Sequence, residues 1–563
     1  LFIPANTEAT LPMSNTPLLE CVPNFSEGRD PEIIRRLTDA IAAVEGVKLL
    51  NVDPGKATNR TVVTFVGAPE PVCEAAFRAI TLAGELIDMR KHHGEHPRMG
   101  ATDVCPLVPI SGITLEEAAE WARTLGERVG RELQLPVYLY EAAQPNAARK
   151  NLAAIRAGEY EGLADRIVTS EWAPDFGPAA FDARRGATAI GARDFLIAYN
   201  VNLNTTSTRR ANAIAFDVRE AGRSKPGPQG EPAGPGTLKA VKGIGWFIEE
   251  YGIAQVSMNL VDIRTTPLHV AFDEVCRAAA ARGIRVTGSE LVGLVPLQCL
   301  LDAGRHFLER QQRSTGVSER ELVRIAVRTM GLDELTPFDP DQRVIEYLLR
   351  DPADTRLVDM SVAAFTAETA SESAAPGGGS VSATLGALGA ALGTMVANLS
   401  SHKQGWDDRW QEFSAHAAQG QALVQKLLRL VDEDTRAFDR VLAAMRLPKG
   451  SDAERAARRA AIDAATLEAT RVPFQVMEAA LAAMPLLKAM VEVGQPSSTS
   501  DAAVGALCAR SAVLGAYLNV QTNAAQLPGN ADAADLIARG AVLRDQAVAM
   551  EAEILALAEG RIG

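Results

Sequence analysis

The chain has 563 residues, 47% of them hydrophobic and 23% charged, and a net charge of -13. That length exceeds what one core fills and points to three or four domains at about 150 residues each. The acidic balance excludes nucleic acid as the main partner, because phosphate binding needs a basic footprint, so an anionic substrate has to be held by local basic residues.

Residues 1–12 lack the basic, apolar and cleavage-site pattern of a signal peptide, and Met13 reads as the natural start, with residues 1–17 a disordered extension. The six cysteines (Cys21, Cys73, Cys105, Cys276, Cys299, Cys508) contain no CxxC pair and read as reduced, mostly buried thiols of a cytoplasmic protein. Leu18 to Pro23 is a strand candidate. Asp30-Pro31-Glu32 opens a helix with a cap, Pro at the first position and an early acid. Val47–Val52 and Thr61–Val66 are β-branched strands joined by a loop that carries Asp53, Asn59 and Arg60. A second helix runs from Pro69 to Met89, and Val104–Ile110 is the next strand. The order β-α-β-β-α-β is that of the ferredoxin-like split unit, an antiparallel sheet with two helices on one face. A helix from Thr114 to Leu133 and a strand from Val137 to Tyr140 follow.

The same order returns from Phe195. Strands are expected over 195–202, 238–247 and 254–263 and from Ile284, and helices over 207–222 and 267–282. Two such subdomains, 18–190 and 191–335, would turn uncovered sheet faces toward each other and leave a cleft for a flat ligand. The Pro/Gly-rich stretch 224–236 reads as a mobile loop. After a linker at 336–358, residues 359–563 are rich in Ala, Leu and charged residues at helical spacing, which implies a separate helical bundle. Ser380–Leu399 is the one segment long enough to raise a membrane helix. Its Ala, Gly, Ser and Thr make it weakly apolar, so it reads as a tightly packed interior or interface helix.

Chemistry concentrates at Gly94-Glu95-His96-Pro97-Arg98-Met99-Gly100. Gly94 and Pro97 stop a helix, and Pro97 biases His96 toward an extended backbone, which holds its imidazole on a stiff loop with Arg98 beside it. A neutral histidine there can take a proton near pH 7. The competing reading is a helix C-terminus whose histidines face the last carbonyls. His92 and His96 have a zinc-like i, i+4 spacing, but the same Gly and Pro spoil the shared helical face, and no metal is expected. Asp53 at a sheet end could orient a histidine or simply serve a turn. Arg98 is a candidate for bidentate carboxylate binding or a surface ion pair. In the bundle, Asp432, Glu433, Asp434 and Asp439 mark an otherwise apolar helix. Asp434 would suit proton transfer if it faced inward, whereas Asp432 and Asp439 read as solvated acids. Gly377-Gly378-Gly379-Ser380 opens a helix and is either an anion-favouring start or a plain entry turn. Asp501, Asn519 and Asn523 are polar groups in apolar helices, as caps or packing bonds.

Taken together, Cys21–Gly28, Gly94–Gly100 with Asp103-Val104-Cys105-Pro106, Ala173–Pro178, Gly243-Ile244-Gly245-Trp246 and Ser373–Val381 resemble the formimidoyltransferase-cyclodeaminase family, over nearly the whole chain from Leu18. The resemblance implies transfer of a formimidoyl group from N-formimidoyl-L-glutamate to tetrahydrofolate, a co-substrate that is often polyglutamylated. Closure to 5,10-methenyltetrahydrofolate with release of ammonia then follows in the helical domain, within histidine degradation. It implies His96 as transferase base, Asp53 as its partner and Asp434 as cyclodeaminase acid. It also implies substrate contacts at Arg98, Arg60 and Asn59, folate contacts at Gly177, Pro178, Phe181, Gly186 and Gly236, and a second pocket at Gly377, Gly378, Gly379, Ser380 and Asp501. A homo-oligomer with two kinds of dimer contact, as in an octamer, is implied as well, with no nucleic acid and no membrane as partner. The alternative reading is a transferase alone, whose helical half serves oligomerisation.

Overall fold

The computed structural model describes residues 17–56, 58–94, 96–226, 233–349, 356–373 and 375–562. Most of the N-terminal extension, part of the Pro/Gly-rich loop, part of the linker and Glu95 lie outside these. The chain divides into two compact units, residues 1–299 with 330–349, and residues 300–329 with 350–563.

The first unit carries two sheets. Strands β1 (Leu18–Cys21), β2 (Asn24–Phe25), β3 (Val47–Gly55), β4 (Arg60–Gly67), β5 (Thr102–Ser111), β6 (Val137–Glu141) and β7 (Thr188–Ala192) form the larger one, in the order β1-β4-β2-β5-β7-β6 with β3 on β4. The expected antiparallel sheet is mixed: β7 pairs parallel with both β5 and β6. Helix Leu115–Glu132 and the chain beyond β6 carry the backbone back to the same edge each time, so those strands enter in the same direction. Period-two alternation sorts the faces. Leu19, Cys21, Val63, Phe65, Cys105 and Leu107 enter a core closed by helices Pro31–Ala42, Pro69–Leu86 and Leu115–Glu132. The opposite face carries Val22, Asn24, Val62, Thr64, Val104 and Pro106. The first of these helices is capped by Asp30 with Pro31 at its first position, as expected, and the third by the reciprocal Thr114–Glu117 box.

The second sheet comprises β8 (Ile197–Leu203), β9 (Val241–Ile248), β10 (Ile253–Leu260) and β11 (Val286–Val292), all antiparallel in the order β11-β8-β10-β9. Helices Thr208–Val218 and Leu268–Ala280 supply its buried partners.

The second unit is helical. Its main elements are Gly378–Ser401, Trp410–Met445, Asp452–Val493, Thr499–Ala524 and Ala531–Ile562. Segment 300–329 belongs with them: Thr315 N–H donates to Ser414 Oγ at 3.1 Å, and Asn398 Nδ2 donates to the Gly316 carbonyl at 2.8 Å. Gly389 and Gly505 let the first and fourth of these helices touch backbone to backbone, since a Cβ on Gly389 would lie 2.7 Å from the Gly505 carbonyl oxygen. Two helices among the described residues, not one, are long and apolar enough to cross a membrane: Gly378–Ser401 and the stretch Pro496–Ala524, with 61% and 50% of their apolar windows buried inside the protein.

Candidate active site

Because side chains alternate along a strand, the uncovered face of the first sheet gathers Glu20, Asn24, Asn51, Asp53, Arg60 and Thr64 onto one surface. This surface floors a cavity of about 680 Å³, whose other wall includes Ala198, Lys242, Asn259 and Val292 from the second sheet. His96, Arg156, Arg193 and Asp194 complete its polar lining. The expected cleft therefore takes residues from both sheets. Among the described residues no group of three or more His, Cys, Asp or Glu is placed to hold a metal ion.

His96 is half-buried, and its Nδ1 lies 2.8 Å from the Pro97 carbonyl oxygen. A carbonyl only accepts, so in the neutral ring Nδ1 carries the proton and Nε2 keeps its lone pair. That contact, rather than one to Asp53, sets the tautomer: Asp53 is exposed on the same cavity wall and makes no hydrogen bond to His96. Burial, with Arg60 and Arg156 nearby, holds the His96 pKa below its ordinary 6.5, against the Pro97 hydrogen bond and the weaker pull of Asp103. Asp103 is fully buried, and its Oδ2 takes Arg60 Nη1 and Arg156 Nη2, each at 2.5 Å.

The other residues of the histidine loop hold the loop itself. His92 is buried, with Nε2 at 2.8 Å from the Asn59 carbonyl oxygen, while its Nδ1 accepts from Arg98 Nε at 3.3 Å. Helix Pro69–Leu86 ends before this segment, so the histidines are not its last turn. Asn59 takes a left-handed backbone, accepts from Gly28 N–H and donates to the His93 carbonyl. It pins two loops together and is absent from the cavity lining. Arg98 also points elsewhere. Its guanidinium grips Glu161 at 2.6 and 2.8 Å with Glu159 at 3.2 Å, beside a separate polar cavity of about 430 Å³.

Nor does the cavity reach Gly177, Pro178, Phe181, Gly186 or Gly236. Gly177 turns with φ +82° against Leu135, and Phe181 packs on Tyr160 at 5.4 Å between ring centroids. Gly186, φ +71°, bridges to Gly100, where a Cβ would meet the Met99 carbonyl oxygen at 2.2 Å. This loop buttresses the backbone of the histidine loop from behind. Gly236 closes a turn on the Arg219 carbonyl.

Among the lining residues that the sequence reading did not single out are Glu20, Arg156 and Arg193. The alternation of Glu20 with Val22 and Asn24 was available as a signal. Glu20 is buried, which lifts its carboxyl to about 7 against the pull of Arg193 and with a push from Glu346. Arg156 ends the four-residue helix Leu152–Ile155, which no pattern in the sequence marks.

In the helical unit Asp434 sits on the start of helix Gly378–Ser401. Its Oδ2 accepts from Ser380 N–H at 2.9 Å and lies 3.0 Å from Ser380 Oγ. Burial raises its pKa, and the two Ser380 bonds lower it in part. Gly379 has to be glycine, since a Cβ there would lie 2.1 Å from Asp434 Oδ1. Gly378 faces the amide of Asn519. Asp501 is not part of this group. It lies in the first turn of helix Thr499–Ala524, five turns or about 27 Å from Asn519. Asp432, expected to be solvated, is buried, and its Oδ1 accepts from Leu357 N–H at 2.6 Å. It faces about 200° round the helix from Asp434 and ties the segment before the bundle to the helix. Asp439 is exposed as expected.

The formiminotransferase domain, N-terminal subdomain, matches residues 18–193, the formiminotransferase domain residues 198–350, and the formiminotransferase-cyclodeaminase family residues 361–539. The chain is 45% identical over 507 residues to the formimidoyltransferase-cyclodeaminase of Rattus norvegicus, covering 90% of this chain and 92% of that one. It is 42% identical over 545 residues to that of Sus scrofa, covering 97% and 99%. It is 44% identical over 312 residues to the glutamate formimidoyltransferase of Thermoplasma acidophilum, covering 55% of this chain and 98% of the relative.

Proposed function

The chain belongs to the formimidoyltransferase-cyclodeaminase family, and from that premise we propose how its residues divide two reactions. The protein is a bifunctional enzyme. It transfers a formimidoyl group from N-formimidoyl-L-glutamate to tetrahydrofolate, then closes the product to 5,10-methenyltetrahydrofolate with loss of ammonia. The transferase lies in the two sheet-bearing subdomains, each read as a ferredoxin-like split unit, and the cyclodeaminase in the helical domain.

In the first step N5 of tetrahydrofolate attacks the amidine carbon of the donor. His96 Nε2 takes the N5 proton, the bond from that carbon to the glutamate nitrogen breaks, and the departing amine takes up a proton. Arg60 and Arg156 favour the neutral imidazole needed to begin. Asp53, on the same wall, stabilises the imidazolium once formed, by charge rather than by the tautomer-fixing bond of a triad. In the second step N10 attacks the same carbon and ammonia leaves. Asp434, lifted above the ordinary aspartate range by burial, delivers the proton.

The observation that carries this reading is the presence of His96 in the cavity lining, with its Nδ1 engaged by the Pro97 carbonyl, together with a separate, half-buried Asp434 behind an obligatory glycine. The test is a spectrophotometric assay with N-formimidoylglutamate and tetrahydrofolate, following methenyl product and ammonia. Methenyl product without supplied 5-formimidoyl intermediate supports both steps. Accumulation of the 5-formimidoyl species would instead favour the transferase-only reading, in which the bundle serves assembly. The same reading includes a cytoplasmic homo-oligomer, supported by Leu388, Met395 and Leu399, which stand exposed along one face of the Gly378–Ser401 helix.

A further inference from the structure

Around Asp103 two arginines share one carboxylate. Arg60 and Arg156 both line the His96 cavity, with side chains 9% and 14% exposed, and both lean on the one Asp103 carboxylate, which is 0% exposed. That carboxylate is saturated. Its Oδ2 takes Arg60 Nη1 and Arg156 Nη2, and its Oδ1 takes Arg156 Nε at 3.2 Å and the Met99 N–H at 3.0 Å. Two guanidiniums, which do not deprotonate, thus share one negative charge. Arg60 spends its Nε on Asn24 Oδ1 at 2.9 Å. Among the described residues, Arg60 Nη2 and Arg156 Nη1 then have no acceptor, so the Arg60–Asp103–Arg156 cluster keeps one net positive charge and two unengaged NH2 groups in the His96 cavity.

We propose that Arg156 and Arg60 form a carboxylate seat, with Arg156 the specificity-determining residue, that receives the α-carboxylate of the formimidoyl donor. This rests on the transferase reading above. A single negative charge spread over two oxygens matches the cluster's one net positive charge and its two free NH2 groups, whereas a phosphate dianion would overshoot the charge. The α-carboxylate is one carbon from the nitrogen that leaves, so seating it next to the base places the amidine carbon in the same end of the cavity. Arg98, buried against Glu161, takes no part.

The experiment compares two donors, N-formimidoyl-L-glutamate and N-formimidoyl-4-aminobutyrate, which lacks the α-carboxylate. Each is run with wild type, Arg156→Met and Arg156→Lys as full chains. Circular dichroism and thermal unfolding of each full chain are followed in parallel as the measure of folding, because cyclisation reports only on the separate helical unit. Arg156→Met leaves Asp103 and Arg60 as a neutral pair. It is expected to raise the KM for the glutamate donor at least tenfold with a smaller change in kcat, and to leave the KM of the aminobutyrate donor within about twofold. Arg156→Lys keeps the charge without the fork and should fall between; it also decides the matter if the Met variant does not fold. An unchanged glutamate-donor KM in either folded variant, or an equal penalty on both donors, overturns the seat. A wild-type chain that transfers nothing from N-formimidoylglutamate would overturn the underlying transferase reading instead.

Discussion

Burial disfavours the charged form at both His96 and Asp434, but the cationic neighbours act with it at the first and the hydrogen-bonding neighbours against it at the second. At His96 the surroundings are polar and locally cationic, so burial and the Arg60–Arg156 pair act together to disfavour the charged imidazolium. At Asp434 burial disfavours the carboxylate, while the helix start and the Ser380 hydrogen bonds favour it, so the shift is a difference between opposing effects. A strand face built by alternation can collect six or more polar side chains. A helix start offers few positions, and there a single glycine decides whether the carboxylate fits. The first site should therefore be sensitive to charge and the second to volume.

The largest expected effect separates the two sites outright. His96→Ala should slow formimidoyl transfer by about 10²–10⁴-fold and spare cyclisation of supplied 5-formimidoyltetrahydrofolate. Asp434→Asn should do the reverse by a similar factor, releasing the 5-formimidoyl species. Single-turnover quantification of both folates checks this, and parallel loss of both activities in either folded variant would abolish the distinction. Next comes volume: Gly379→Ala places a methyl where Asp434 Oδ1 now lies, and displacing the acid by about 1 Å should cost cyclisation about 10²-fold with transfer unchanged. An alanine variant with parental cyclisation would show that Asp434 has room to move.

The pH profiles sharpen the comparison by sign. With His96 as the proposed base, the kcat/KM of transfer should rise with pH and reach half its plateau below 6.5. With Asp434 as the proposed acid, the acid-dependent part of cyclisation should fall as pH rises through a value above 3.8. Rate profiles for the two half-reactions, measured separately, test both directions. The smallest effects concern the neighbouring acids. Asp432→Ala strands the Leu357 N–H and should cost about 1–3 kcal/mol in denaturant unfolding of the helical unit. Asp439→Ala, on the exposed face, should stay within about 0.5 kcal/mol. Equal losses would mean that the Asp432 bond does not form in solution.

Much of this was readable from residue order. The strands 47–55, 60–67 and 253–260 announce themselves by β-branched residues, and Asp30-Pro31 by cap chemistry, because those signals act within a few residues. The loop Gly94–Gly100 was marked by Gly and Pro, and Asp434 by its acidic cluster on an apolar helix. What failed were assignments that depend on where a long side chain points. Arg98 follows His96 closely in sequence, yet it turns to Glu161. Arg156 is sixty residues away and shares its carboxylate with Arg60. Asp432 and Asp434 differ by two positions on a helix and so face about 200° apart, but which one meets Gly379 depends on helix packing.

The sequence by itself therefore determined the element order, the stiff loop that presents His96 and the separation of a helical half, since each follows from local dihedral preference or hydrophobic period. Tertiary structure alone decided the parallel entry of β7, the sharing of Asp103 by two arginines and the seating of Asp434 on a helix start. These are contacts between groups far apart in the chain, and their strength depends on burial and distance that no local pattern encodes.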